Sequence, residues 1–222
     1  MLSDNTQHGF YFDTRKCIGC KKCHRVCKAK FDSESSVNPR RVYKSDGDVI
    51  YKNNHQHVHC NVPTFFISLA CNHCSAPVCV LACPSGAMHK RSEDGLVHVI
   101  QDMCTGCGAC ARACPYDAPQ LDPVKKVMVK CDGCFEQVQH GDRPLCVAAC
   151  PKQALDFGTI EKLKIKYGKK AHISSIPSSQ ITSPNTLLGG VEVSRSTNRR
   201  KGNMGKKYPT GDYTKGLLTN PK

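Results

Sequence analysis

Apolar positions come in short bursts along the chain, and most bursts run into a crowd of cysteines. Residues 9–14 (GFYFDT) read as a strand delivering the first crowd, and Lys21 to Lys30 as the helix after it. Pro39–Arg40–Arg41 marks a turn before a strand at Val42–Tyr43, and KSDGDVIYK reads as a hairpin around Asp46–Gly47. Thr64–Ala70 (TFFISLA) is an apolar strand, and Pro77–Ala82 a short helix. MHKRSEDGLVHVI is a hairpin turning near Asp94–Gly95. A strand through Val127–Val129 and another at Ala154–Phe157 follow. Thr159 then caps a helix with Glu161 in its first turn and Lys162, Lys164 and Lys166 further along. From about Ala171 the periodicity vanishes among Ser, Pro, Gly, Asn and Thr, which predicts an extended arm ordering against a partner.

The cysteines decide what these elements are for. In CTGCGACARACP, Cys104, Cys107 and Cys110 stand at Cys-x2-Cys-x2-Cys spacing, with Cys114 four positions on and then Pro115. Such a run holds a [4Fe–4S] cluster in bacterial ferredoxins, its fourth cysteine ligating the neighbouring cluster. Two-residue gaps let one tight loop aim three sulfurs at three corners of a small cube. Small residues let the backbone close over it with N–H groups pointing inward. Cys17, Cys20, Cys23 and Cys27 repeat the run, as do Cys71, Cys74, Cys79 and Cys83 with one gap lengthened. Cys131, Cys134, Cys146 and Cys150 repeat it with eleven residues in the middle gap. Four motifs use sixteen of the 17 cysteines, leaving Cys60.

Bulk composition agrees. A hydrophobic fraction of 39 % without Trp, in 222 residues, makes a lean organic core. Metal centres that tie distant points of the chain together replace it, so the metal-free chain is expected to be largely unfolded. A disulfide scaffold does not account for thiols this crowded on one loop. Structural zinc needs only two Cys-x2-Cys pairs and does not explain the third cysteine or the proline after the fourth. The formal charge of +14 resembles a nucleic-acid signal but counts every cysteine as neutral. Four thiolate-held cubanes contribute about −8 to −12, bringing the chain to roughly +6 to +2. Residues 159–222 hold 13 Lys/Arg against 3 Asp/Glu, a basic arm with few aromatics to interleave with bases. His55, His57 and His59 share one side of an extended segment by period two, read as polar side chains on an edge strand, with zinc or copper binding as the alternative. The opening MLSDNTQHGF has no secretory-leader pattern, and no apolar run is long enough for a bilayer span.

Because each fourth cysteine crosses to another cluster, motifs must pair. The twenty residues between Cys83 and Cys104 favour the second motif with the third, leaving the first with the fourth. The expected fold is α+β: two bacterial-ferredoxin-like units, one inserted in the other and related by pseudo-two-fold symmetry, plus an extended C-terminal arm. Residues 1–60 and 116–158 make the outer unit, 61–115 the inner, and 159–222 the helix and arm.

CNHCSAPVCVLACPSGAMHKR, ACPYDAPQ, VKCDGC, CPKQALDFGTIEKL and the terminal PTGDYTKGLLTNPK carry a resemblance over nearly the whole chain. It is similar to the four-cluster iron–sulfur subunits of molybdopterin oxidoreductases, those of the dimethyl sulfoxide reductase type above all. The resemblance implies four centres. Cys17, Cys20, Cys23 and Cys150 would hold the first; Cys27, Cys131, Cys134 and Cys146 the second. Cys71, Cys74, Cys79 and Cys114 would hold the third; Cys83, Cys104, Cys107 and Cys110 the fourth. Nitrate reductase relatives carry an aromatic residue at the position of Cys107 and a [3Fe–4S] centre; the cysteine here implies four cubanes.

The resemblance further implies a non-catalytic electron carrier between a molybdopterin catalytic subunit and a quinol-oxidising integral membrane subunit. It also implies a peripheral, periplasm-facing position reached by export with a twin-arginine-bearing partner; the cytoplasmic face is the alternative. Competing functions are the same role in a tetrathionate, polysulfide or other molybdopterin enzyme, and a zinc-based nucleic-acid binder.

Overall fold

A computed structural model of the chain describes residues 6–34, 36–45, 51–53, 56–58, 65–168 and 181–190. It is a mixed α and β protein of short elements, with one three-stranded and four two-stranded sheets among the described residues.

The central sheet is built on β1 (His8–Asp13), whose apolar run is buried on both faces. β10 (Leu155–Thr159), where the sequence predicts a strand at Ala154–Phe157, lies antiparallel to it with Phe10 opposite Phe157. The sheet's third strand, β11 (Thr186–Gly189), lies parallel to β1 with Phe12 opposite Leu188. It falls in the stretch for which composition predicts only an arm. TLLG is too short to show a period, but Leu187 fills a pocket with Tyr11 and Leu163. Between β10 and β11 runs α6 (Ile160–Tyr167). The Thr159 hydroxyl accepts the Lys162 N–H at 3.4 Å as its N-cap, and Tyr167 stacks on Tyr11 with ring centroids 3.6 Å apart.

α1 (Lys22–Phe31) follows β1. β2 (Arg41–Ser45) then pairs antiparallel with β5 (Phe65–Leu69), and β3 (Tyr51–Asn53) with β4 (Gln56–Val58). The strands expected to flank Asp46–Gly47 therefore pair elsewhere, and the turn itself lies outside the described residues. The physical reason is burial: Val42, Tyr43 and Ile67 enter the main core together, which a local hairpin onto polar Tyr51–Asn53 does not offer. His55, His59 and Cys60 lie outside the described residues, and of His57 only the backbone, in β4, is described.

α2 (Val78–Leu81) leads to the hairpin of β6 (Met88–Lys90) and β7 (Val97–Val99). Its turn is where the Asp-Gly pair predicts it: Gly95 takes φ +69°, and the Asp94 carboxylate accepts the Leu96 N–H at 2.9 Å. α3 (Ala109–Ala113), the hairpin of β8 (Gln120–Asp122) and β9 (Val127–Val129), α4 (Phe135–Gln139) and α5 (Leu145–Ala148) lead on to β10.

Cysteines are part of the hydrophobic core itself. The larger cluster joins Phe10, Phe12, Val147 and Leu155 to Cys23, Cys71, Cys131 and Cys146. The smaller joins Met88, Val97 and Met128 to Cys79 and Cys110.

Candidate metal centres

Each motif lies on a loop that ends in a short helix, and the loops depend on backbone shapes that few residues adopt. Gly19 takes φ +69°, and a Cβ there would stand 2.5 Å from the Phe66 ring. Gly106 takes φ +66°, and a Cβ there would stand 2.2 Å from the Lys126 carbonyl oxygen. Side chains at these points would push the loop off the strands behind it.

Cys17, Cys20, Cys23 and Cys150 line one open pocket, with Phe12 and Leu155 beside them. The Ala154 N–H donates to Cys150 Sγ at 3.3 Å. Cys83, Cys104, Cys107 and Cys110 line a second open pocket with Met88 and Met128. Met88 and Met128 each donate a backbone N–H, at 3.3 Å, to Cys83 Sγ and Cys104 Sγ. Ile18 is exposed at the first pocket, and Cys107 itself is exposed at the second.

The two remaining groups lie deeper. Cys27, Cys131, Cys134 and Cys146 are all buried. Burial pushes the Cys27 thiol up to about 12, and the nearby charges of Cys146 and Cys134 add to it while Arg40 opposes. Burial likewise pushes Cys131 up, with Cys27 and Cys146 beside it. In the other group Cys71 and Cys79 are buried and Cys74 and Cys114 half-buried. Burial pushes Cys79 up to about 12 and Cys74 to about 11, with Cys71 and Cys114 close enough to contribute to both. Gly133 N–H donates to Cys131 Sγ at 3.4 Å and His73 N–H to Cys71 Sγ at 3.5 Å.

Two of the predicted sets thus share a pocket each, and the cysteines of the other two lie close enough to shift one another's pKa. Each set draws three cysteines from one motif and one from another, or one helical cysteine and three from a distant motif. Thiols raised so far stay protonated at neutral pH unless a metal claims them. Backbone N–H groups aimed at sulfur stabilise the thiolate form. Among the described residues no three His, Cys, Asp or Glu side chains converge tightly enough for a single ion. The first and fourth groups instead line pockets, so the donors fit a many-atom iron–sulfur core better than zinc.

Three side chains at the junctions between groups escaped the sequence reading. His73 is fully buried; its Nδ1 accepts the Val97 N–H at 3.0 Å, which leaves the proton on Nε2, 3.8 Å from Cys131 Sγ. Burial, then the charges of Lys130, Lys90 and Arg40, keep that ring neutral. Lys130, also buried, donates to the carbonyls of Val97 and Cys131. Arg40 is buried close to Cys23 and Cys146. For His73 and Lys130 the one available signal is their place beside a motif cysteine; for Arg40 the sequence holds none.

Small sheets, helix-terminated cysteine loops and four thiol groups define the class: this is a 4Fe–4S electron-transfer protein. Two family profiles, each described as a 4Fe-4S dicluster domain, match residues 62–160 and 16–88. The iron–sulfur subunit of anaerobic dimethyl sulfoxide reductase from Escherichia coli is 44 % identical over 217 residues, 98 % of both sequences. Its namesake from Haemophilus influenzae is 44 % identical over 199 residues, 90 % of this chain and 97 % of its own length. A sulfite dehydrogenase subunit from Allochromatium vinosum is 34 % identical across 70 % of both sequences. The protein belongs to the family of anaerobic dimethyl sulfoxide reductase iron–sulfur subunits. It is an electron-transfer subunit of an oxidoreductase and not its catalytic one. No helix among the described residues is long and apolar enough to cross a membrane.

Proposed function

We propose that the chain relays electrons through four [4Fe–4S] clusters, from a quinol-oxidising membrane subunit to a molybdopterin subunit that reduces dimethyl sulfoxide or similar S- and N-oxides. The ligand sets are Cys17, Cys20, Cys23 and Cys150; Cys27, Cys131, Cys134 and Cys146; Cys71, Cys74, Cys79 and Cys114; and Cys83, Cys104, Cys107 and Cys110. Each cluster supplies reversible one-electron storage when bound. The chain's own residues do the rest: they fix the sulfurs, direct N–H groups at them and exclude water from the second group.

The observation that carries this reading is the contrast in exposure between the groups. The first and fourth open to the surface beside Ile18 and Cys107, while the second is wholly buried. A relay needs accessible ends, where partners take or give an electron, and a dry middle, where the electron is held from solvent. A scaffold whose metals only hold the fold has no such need.

In this reading the units 1–60 with 116–158 and 61–115 are nested ferredoxin-like units related by a pseudo-two-fold axis. The C-terminal arm, apart from the strand β11 that joins the chain's own central sheet, docks on a partner, and the complex sits peripherally on the membrane, facing the periplasm. The experiment is anaerobic isolation of the tagged chain from membranes, with iron and acid-labile sulfide counted and co-purifying subunits identified. Reduced-dye oxidation is then assayed with dimethyl sulfoxide, trimethylamine N-oxide, tetrathionate and polysulfide. A molybdenum subunit with sulfoxide-dependent turnover supports the proposal. Turnover with tetrathionate or polysulfide alone keeps the relay and changes the enzyme; a partnerless protein, or fewer than four clusters, refutes it.

A further inference from the structure

Arg40 lies in the core with 2 % of its surface exposed, and its surroundings do not pay for a positive charge. Its guanidinium lies over the Phe10 ring, 4.8 Å from the centroid. Nη1 donates to Ser68 Oγ at 3.2 Å, and Nε has no hydrogen-bond partner among the described residues. No Asp or Glu among the described residues pairs with it. Guanidinium does not shed its proton in proteins, and an uncompensated buried charge is strongly destabilising. Something anionic must stand nearby.

The candidates are sulfurs on two sides. Ser68 Oγ, which accepts from Arg40, is 3.5 Å from Cys23 Sγ and so has its own hydrogen free to donate there. Burial opposes the charge on Arg40, yet Cys146, Cys131, Cys27 and Cys23 together hold its pKa above the ordinary value. Cys23 is in the first group; the other three are in the second.

We propose that Arg40 is the shared counter-ion of the first and second clusters and raises the reduction potentials of both. The inference rests on the ligation proposed above. Adding one electron makes a cluster more negative by one unit, and the fixed cation lowers the cost of that step without any proton being taken up. The relay through Ser68 adds a hydrogen bond to the first cluster alone. Lys130 and Lys90 stand near cysteines of the third group, so that cluster has cations of its own and should depend less on Arg40.

The test is an EPR-monitored redox titration of the purified complex in wild-type, Arg40→Met, Arg40→Lys and Ser68→Ala forms, with iron and sulfide counted in each. In Arg40→Met the one-electron reduction equilibria of the first and second clusters should each fall at least tenfold, ~59 mV. Those of the third and fourth should move less than threefold. Arg40→Lys should recover most of the loss, and Ser68→Ala should lower the first cluster only. Four intact clusters with unchanged potentials in Arg40→Met, or an equal fall in all four, would overturn the proposal while leaving the relay standing. Fewer than four clusters in the wild type would instead sink the ligation. Should Arg40→Met fail to assemble, Ser68→Ala decides: a shift confined to the first cluster supports the proposal and none overturns it.

Discussion

Asn185 offers a direct test of how the chain secures its second cysteine loop. The residue is buried and sits in a stretch without any periodic pattern, more than a hundred residues beyond the loop it holds. Its Nδ2 donates to the His73 carbonyl at 2.8 Å and lies 3.1 Å from Ser75 Oγ. Its backbone N–H donates to the Asn72 carbonyl at 2.9 Å, and its carbonyl accepts the Phe10 N–H at 3.1 Å. Around it Ser75 and Ala76 donate backbone N–H groups to the Ser183 and Thr182 carbonyls. The segment is thus laced along residues 72–76 and continues into β11. Asn185→Ala removes its side-chain hydrogen bonds to His73 and Ser75, each worth ~0.5–1.5 kcal/mol, and deprives a buried carbonyl of its best donor. The sum is about 2–3 kcal/mol, or ~30- to 150-fold in a local opening equilibrium. Asn185→Asp keeps the shape and the acceptor but turns an oxygen toward the His73 carbonyl, so it should cost at least as much.

Hydrogen–deuterium exchange of the intact complex reads this directly. The amides of Ser75, Ala76 and Asn185 should exchange faster by that factor in both variants, while the turn at Asp94–Gly95 keeps its protection. Unchanged exchange in Asn185→Ala, or wild-type behaviour in Asn185→Asp, would show that the 181–190 segment lies on the loop without securing it.

Other expectations follow from the same structure. Gly106→Ala puts a Cβ 2.2 Å from the Lys126 carbonyl oxygen at φ +66°; left-handed strain alone costs ~1–2 kcal/mol. Iron analysis and EPR should show loss of the fourth cluster with the others retained. Removing iron with a chelator under reducing conditions should unfold the chain, seen as lost circular dichroism, because its cysteines supply much of the core; a folded apo-protein would contradict this. Burial, followed by the bond to Asp156, raises the Tyr167 pKa. Its contribution to stability is therefore complete below the unfolded value near ~10 and lost as pH rises through the higher folded one. Thermal unfolding should show a shallower alkaline loss in Tyr167→Phe than in the wild type.

Much of this architecture was legible because its signals are local. β1, α1, β5, the Asp94–Gly95 turn and the Thr159 cap each rest on a few neighbouring residues whose preferences agree. The cysteine spacing is stronger still, since a three-sulfur loop has almost no other use. What escaped depends on partners far along the sequence. β2 turns from its nearby hairpin to β5 because Val42, Tyr43 and Ile67 share a core that only the fold creates. β11 is four residues in a Ser- and Pro-rich stretch, recruited by the edge of β1 and by the pocket that Leu187 fills. Arg40, beside Pro39, reads as a turn residue, and nothing adjacent to it says that it will be buried near cysteine sulfurs.

That last miss changes how the protein's charge is understood. A formal +14 invites a surface explanation, in which basic residues attract an acidic partner or a polyanion. Part of the excess is elsewhere. Arg40 and Lys130 are buried, and Lys90 is partly buried with its ammonium on Gln7 Oε1 and the Cys74 and Gly95 carbonyls. None of the three is in an ion pair with Asp or Glu among the described residues. In a protein of ordinary thiols these would be three uncompensated interior cations, each a reason for the fold to fail. With thiolates around an iron core they become the compensation, and the two sets of charge require one another. The basic residues and the cysteines then have to be counted together. On the proposed ligation the fold should then depend on its metals, and the cations that allow the centres to be buried are the first places to look for what sets their potentials.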